Sequence, residues 1–311
     1  MEYTTLKNSD LRVSRLCMGG CPMGGHGWGI VQEQELIGAV HAALDHGLNF
    51  FDTADTYGLG QSELTLGRGL EGRRDKAVIA SKFGVRVENG RTFYDNSPQW
   101  IRTACENSLR RLNTDYIDLY QIHYRDGSTP IGAVVDALEQ LRREGKIRYF
   151  GLSNLDMKDY AELESYRGTF VSLQNQYSLA CRDHEAQTLE LCRRLELSPL
   201  TWGSLGQGIL TGKYDASSSF TSDDRRSRAV YVNFHGRKLE KNLQIVEAMR
   251  PIAAQYEKPL SALAVRFILD HLPDSVVLCG IKRPEQLRGN AQALGWHLRR
   301  QDLDQLEYVS R

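Results

Sequence analysis

Eight short apolar runs, helical stripes between them, and polar residues closing the runs together predict an α/β chain folded as a (β/α)8 barrel of the TIM type. The runs are 16–18, 48–52, 77–81, 116–122, 147–152, 170–174, 198–202 and 275–278. They are rich in β-branched or aromatic residues. They are also continuous rather than alternating, which suits parallel strands covered on both faces.

Before the first run, Tyr3–Leu6 and Leu11–Val13 flank the turn-forming Lys7-Asn8-Ser9-Asp10, so residues 1–15 read as an N-terminal β-hairpin. After it, Leu36, Ile37, Val40, Ala43 and Leu44 make one helical stripe that stops at Gly47. Ser97-Pro98 and Thr129-Pro130 each place a capping residue before a first-turn proline. The stripes that follow are Ile101, Cys105, Leu109, Leu112 and Val134, Val135, Leu138, Leu141. The stretch between the last two runs is too long for a plain connection, and its Gly-, Ser- and Asp/Arg-rich part, 203–236, reads as a long loop after strand seven that serves as a lid or binding loop. The whole chain, 1–311, reads as a single barrel domain.

The runner-up fold, a doubly wound sheet, wants a Gly-rich turn between a strand and a helix start. The one such pattern, Gly67, Gly69 and Gly72, falls at the end of the amphipathic segment 62–70 and reads as helix-end glycine.

Lys plus Arg total 39 and Asp plus Glu total 39, which gives no ground for a nucleic-acid partner or a polybasic membrane contact. The N-terminus has no signal-peptide pattern and no apolar window is long enough to span a bilayer, so a cytoplasmic location is expected. The six cysteines are scattered without metal or redox spacing and read as thiols in a reducing compartment; no metal site is expected.

A barrel of this type carries its chemistry at the C-terminal ends of its strands. There stand Asp52 and Tyr57, Lys82, His123, Ser153 with Asn154, and Gln174. A lysine ammonium beside Tyr57 stabilises a phenolate and eases proton donation; Asp52 orients the lysine, and His123 can hydrogen-bond a carbonyl oxygen. The set suits protonation of an oxygen that is gaining negative charge. The strand ends lack a carboxylate and histidine ligand set, which disfavours a metal-dependent hydrolase.

The segments FFDTADTYG, ASKFG, DLYQIH, GLSN, QNQYS and LTGKY resemble motifs of the aldo-keto reductase superfamily, over about 11–294. The resemblance implies a barrel closed at its bottom by the hairpin and a catalytic tetrad of Asp52, Tyr57, Lys82 and His123, with Tyr57 as the acid. It implies carbonyl reduction with NADPH (NADP+ as product), with NADH use left open. By resemblance Ser153, Asn154 and Gln174 hold the nicotinamide carboxamide, and Trp202 stacks on the ring. Leu205, Gln207, Gly208, Leu210 and Lys213 match the pyrophosphate loop. Gly280, Lys282, Arg283, Gln286 and Asn290 match the adenosine segment, although Cys279 replaces a usual Pro and Gly289 a common Glu.

The long-loop branch so indicated includes bacterial general stress reductases, sugar ketoreductases and potassium-channel β-subunits. A small-molecule carbonyl substrate is expected, and a homo-oligomer stays open. So does the competing reading of a regulatory subunit that keeps the cofactor pocket as a redox sensor. Trp28, Phe83, Phe93, Tyr94, Tyr124, Tyr231 and Phe234 are candidates for an aromatic substrate pocket at the mouth.

Overall fold

The computed structural model describes residues 1–25, 27–29 and 31–311. The chain opens with β1 (Tyr3–Thr5), β2 (Arg12–Ser14), β3 (Leu16–Gly19), α1 (Glu33–Asp45), β4 (Phe50–Asp52) and α2 (Gln61–Gly69). It continues with β5 (Val78–Phe83), β6 (Val85–Glu88), β7 (Arg91–Tyr94), α3 (Pro98–Leu112), β8 (Ile117–Ile122), α4 (Ile131–Arg143), β9 (Ile147–Ser153) and α5 (Tyr160–Leu163). It ends with β10 (Ser172–Gln176), α6 (Glu185–Leu195), β11 (Ser198–Trp202), α7 (Gly236–Gln255), α8 (Leu260–His271), β12 (Val276–Gly280), α9 (Pro284–Ala291) and α10 (Arg300–Ser310).

Strands β3, β4, β5, β8, β9, β10, β11 and β12 pair in parallel, in that order, and β12 closes back onto β3, which is the (β/α)8 barrel expected. Each expected run overlaps one of these strands. β1 and β2 form the expected N-terminal hairpin, with Tyr3 paired to Ser14.

The hairpin plugs the barrel. Leu6, Leu11 and Val13 pack in one apolar cluster with Cys17, Phe50, Ala80, Leu119, Leu200 and Val276, side chains contributed by the barrel strands. A second, larger cluster joins the outer faces of the strands to the helices. The fully buried Arg266 of α8 anchors the chain start through Glu2 at 3.0 Å and pairs with Asp270 at 2.8 Å.

Several local expectations need correction. Ser97 caps α3 by accepting from the Trp100 N–H, as expected. Thr129 does not cap α4: Asp126 takes its N–H and its hydroxyl, the cap position falls to Pro130, and the helix starts one residue later. The stretch after β5 is not a plain loop but a second hairpin, β6–β7, turning at Asn89 and Gly90, both at positive φ. Asn-Gly between alternating residues is the signal that a two-residue hairpin turn leaves in a sequence. Gly67 and Gly69 lie inside α2 and Gly72 just beyond it, so the Gly-x-Gly-x-x-Gly pattern is helical as read. Among the described residues no helix is long and apolar enough to cross a membrane.

Candidate active site

Side chains alternate in and out along a strand, so residues two apart share the barrel lumen. Phe50, Ala80 and Leu119 belong to the apolar interior; two positions further toward the C-terminal mouth come Asp52, Lys82 and Gln121. The lumen therefore changes from apolar to charged within one layer. Asp52 is 3% exposed, and Lys82 and Gln121 are fully buried.

A buried ammonium needs an acceptor for every proton. Lys82 Nζ has three: Asp52 Oδ1 at 2.6 Å, the Thr53 carbonyl at 2.9 Å and the Tyr57 hydroxyl oxygen at 3.3 Å. The other carboxylate oxygen, Asp52 Oδ2, accepts from Gln174 Nε2 at 2.7 Å and Gln121 Nε2 at 3.1 Å. Because Tyr57 Oη accepts from Lys82, its own proton is left for a group on the open side.

Tyr57 sits on the turn that follows β4. Ser62 locks that turn: its hydroxyl donates to the Gly20 carbonyl at 2.8 Å, and its N–H donates to the Tyr57 carbonyl. The loop after β3 crosses directly over Tyr57, and a Cβ at Gly24 would lie 2.6 Å from the Gly58 nitrogen, so only glycine fits there. Burial, and then the Asp52 charge, push the Tyr57 phenol well above its ordinary 10. Tyr57 is therefore protonated in the resting site, and an ammonium beside it acts on the phenolate as that forms.

His123 begins just past β8, held by its N–H to the Phe83 carbonyl. Its ring meets Tyr57 edge-on at 5.9 Å and stacks on Tyr124 at 5.0 Å. Burial and the nearby Lys82 hold its pKa well below 6.5, so the imidazole is neutral, and its Nδ1 is buried without a partner.

The residues expected at the nicotinamide gather on the facing side. Ser153 Oγ donates to the Gln174 carbonyl, and Asn154 Nδ2 donates to the His123 carbonyl at 3.0 Å. Trp202 Nε1 donates to Asn154 Oδ1 at 3.1 Å, so Asn154 ties together the ends of β8, β9 and β11. Gln174 is 2% exposed and its amide is engaged with Asp52, below the mouth. Gln176 lies on the same strand face two residues higher, paired in register with Trp202 and partly exposed. The sequence reading missed it, although the period of two marks it as the next inward residue.

The segment after β11 winds through Gly206–Thr211 with Gln207 and Gly208 both at positive φ. Leu205 packs on the core and Leu210 is fully buried, so the Leu210 side chain faces the core and offers only backbone to a ligand. Gln207 accepts from Asn233 at 2.6 Å. After β12, Gly280 is exposed, Gln286 accepts from the Lys282 N–H at 2.8 Å, Asn290 is buried on α9, and Arg283 pairs with Glu35 at 3.2 Å.

The half-buried Lys282 donates from Nζ to the Trp28 carbonyl at 2.7 Å. Burial lowers its pKa, and the positive charges of Arg226, Arg283 and Lys213 lower it further. Arg226 was not anticipated. It forms a buried pair with Asp224 at 2.5 Å and lies over Phe220, fixed beside this cation cluster by the long loop.

The aromatic pocket is smaller than expected. Phe83 packs behind the barrel wall on Tyr120, and Phe234 packs with Tyr214 and Phe220 inside the long loop. Phe93 lies under Arg86. Tyr94 stacks on Tyr124, and Trp28 meets Tyr231 edge-on; these four border the opening.

Residues 15–311 match the Aldo/keto reductase family. The chain belongs to that family. As an aldo-keto reductase it is an oxidoreductase of carbonyl compounds. It is similar to the aldo-keto reductase YhdN of Bacillus subtilis, 34% identical over 97% of this chain and 91% of the relative. Its fold superposes on a glycerol dehydrogenase from Gluconobacter oxydans with a TM-score of 0.88, at 32% identity over 99% of this chain and 94% of that one. An aldo-keto reductase from Klebsiella pneumoniae, solved in complex with NADPH, gives a TM-score of 0.78 at 29% identity over 100% of this chain and 96% of that one.

Proposed function

We propose that this aldo-keto reductase converts an aldehyde or ketone to the alcohol, with NADPH as hydride donor and Tyr57 as proton donor. The observation that carries the reading is the Lys82 ammonium, saturated by Asp52, Thr53 and Tyr57, which leaves the Tyr57 proton directed at the open side.

The cofactor, when bound, supplies the hydride that adds to the carbonyl carbon. The neutral His123 imidazole can donate one hydrogen bond to the carbonyl oxygen and orient it. As that oxygen gains charge, Tyr57 transfers its proton to it. The phenolate left behind faces Lys82 Nζ, whose charge matters most at that moment, and it regains a proton from solvent.

The donor set fits the cofactor. Lys213, Arg226, Lys282 and Arg283 concentrate positive charge beside the glycine-rich turn, which suits phosphate groups and supports NADPH over NADH. Backbone groups of Leu205, Gln207 and Gly208 line that turn. Ser153, Asn154 and Gln174 are the groups for the nicotinamide carboxamide, with Gln176 a second amide two residues nearer the opening. Trp202 offers an aromatic face for the ring. The six cysteines are all free, which supports a reducing, cytoplasmic setting.

The test is consumption of NADPH, followed by its absorbance, over a panel of aldehydes, diketones and keto sugars. Turnover of at least one, lost in Tyr57→Phe, supports the reading; no turnover across the panel contradicts it and favours a regulatory subunit.

A further inference from the structure

The long loop places two neighbouring arginines in different surroundings. Arg226 is neutralised by Asp224 and belongs to the cation cluster around Lys282. Arg225 turns the other way. Its N–H donates to the Gly27 carbonyl at 2.9 Å, and its guanidinium lies 5.9 Å from the Trp28 ring centroid. Its Nη1 reaches the Tyr231 hydroxyl only at 3.5 Å, and among the described residues no carboxylate pairs with it.

Two donors at this point lack an oxygen acceptor: Arg225 Nε is buried without a hydrogen-bond partner, and the buried Trp28 Nε1 has only the Cys21 thiol beside it. Unsatisfied buried donors are costly, and two of them close together, one on a cation, are complementary to an oxyanion. The pair lies toward the reacting end of the site: Arg225 rests on Gly27, and the same loop packs Gly24 directly on the backbone of Tyr57 and Gly58. The surrounding aromatic rings, Trp28, Tyr231 and Tyr124, exclude water and strengthen any ion contact made there.

We propose that Arg225, with the Trp28 indole N–H, recognises an anionic group on the substrate, so that the site prefers short carbonyl compounds carrying a carboxylate or a phosphate. This rests on the reductase reading for turnover, but not for binding. The anchor adjoins the cluster proposed for the cofactor's phosphates, Arg226, Lys213, Lys282 and Arg283, Lys282 being bonded to the Trp28 carbonyl.

Calorimetric titration with succinate, a carboxylate with no carbonyl to reduce, tests binding without turnover; succinamide is the neutral control and inorganic phosphate the second anion. Wild type should bind succinate or phosphate and not succinamide. With the protein saturated in NADP+, so that the cofactor's own phosphate cluster is occupied, Arg225→Gln should weaken the anion by roughly tenfold or more and Arg225→Lys less. Whichever anion binds tighter identifies the substituent. No anion binding by wild type, or equal binding by wild type and Arg225→Gln, overturns the proposal.

Turnover supplies the second arm. The preference for 4-oxobutanoate over butanal, or for glyceraldehyde 3-phosphate over glyceraldehyde, should collapse in Arg225→Gln; an unchanged ratio overturns the proposal. Should none of the four be reduced while the wider panel holds a substrate, the preference for anionic carbonyls is overturned; should the wider panel hold none either, the reductase reading fails, and the titration still decides the role of Arg225.

Discussion

Lys82 Nζ lies 3.3 Å from the Tyr57 hydroxyl oxygen, and it is held there by a 2.6 Å contact to Asp52. The lysine cannot swing away, because its stem is fully buried and its remaining proton is fixed on the Thr53 carbonyl. A cation so fixed stabilises a phenolate as it forms without having to reorganise.

Lys82→Met should therefore lose carbonyl reduction and also destabilise the fold. Removing one partner of a buried pair strands the other, and Asp52 would keep only two amide donors, at a cost of about 3–5 kcal/mol. Denaturant unfolding and single-turnover rates measure the two effects separately. A variant with wild-type stability and rate would contradict the coupling.

Much of this arrangement was legible in the sequence because strand period and barrel topology leave little freedom. Once Phe50, Ala80 and Leu119 are taken as inward, Asp52, Lys82 and Gln121 must follow on the same face. The eight strands and the N-terminal hairpin were legible for the same reason. What escaped depended on contacts between distant segments. That Gln174 also donates to Asp52, 122 positions away, could not be read from the sequence. Phe83 and Phe234 are as aromatic as Trp28, and only packing separates the core rings from those at the mouth. Arg225 and Arg226 are neighbours in sequence whose different surroundings follow from the loop's path across Gly27.

The pH dependence has a definite sign. Tyr57 is raised above 10 by burial and the Asp52 charge, so the donor stays protonated and reduction should show no loss of the acid between about pH 7 and 10. Alcohol oxidation needs the deprotonated form and should rise with pH over that range. His123 is depressed below 6.5, so the unfolded chain takes up a proton that the folded one refuses. Its contribution to stability is present above about 6.5 and is lost as the pH falls. The melting temperature should drop more steeply on acidification in wild type than in His123→Asn; equal slopes would contradict a buried neutral imidazole.

The cation cluster predicts cofactor preference. A charge-assisted hydrogen bond is worth about 1.5 to 3 kcal/mol, so losing one should weaken NADPH by roughly tenfold or more. Lys282→Ala combined with Arg283→Ala should raise the dissociation constant for NADPH strongly and that for NADH little. Quenching of tryptophan fluorescence, with Trp202 as a reporter, can follow both cofactors. Equal losses would mean that Lys282 acts through its bond to the Trp28 carbonyl, as a support for the loop.

The most direct test of the catalytic assignment is Tyr57→Phe, measured for turnover and for NADPH affinity in the same preparation. The phenyl ring keeps the shape of the site and removes only the hydroxyl that Lys82 holds. The predicted result is loss of carbonyl reduction with NADPH affinity nearly unchanged. Turnover at the wild-type rate would contradict the account, because the proton would then have to come from another group.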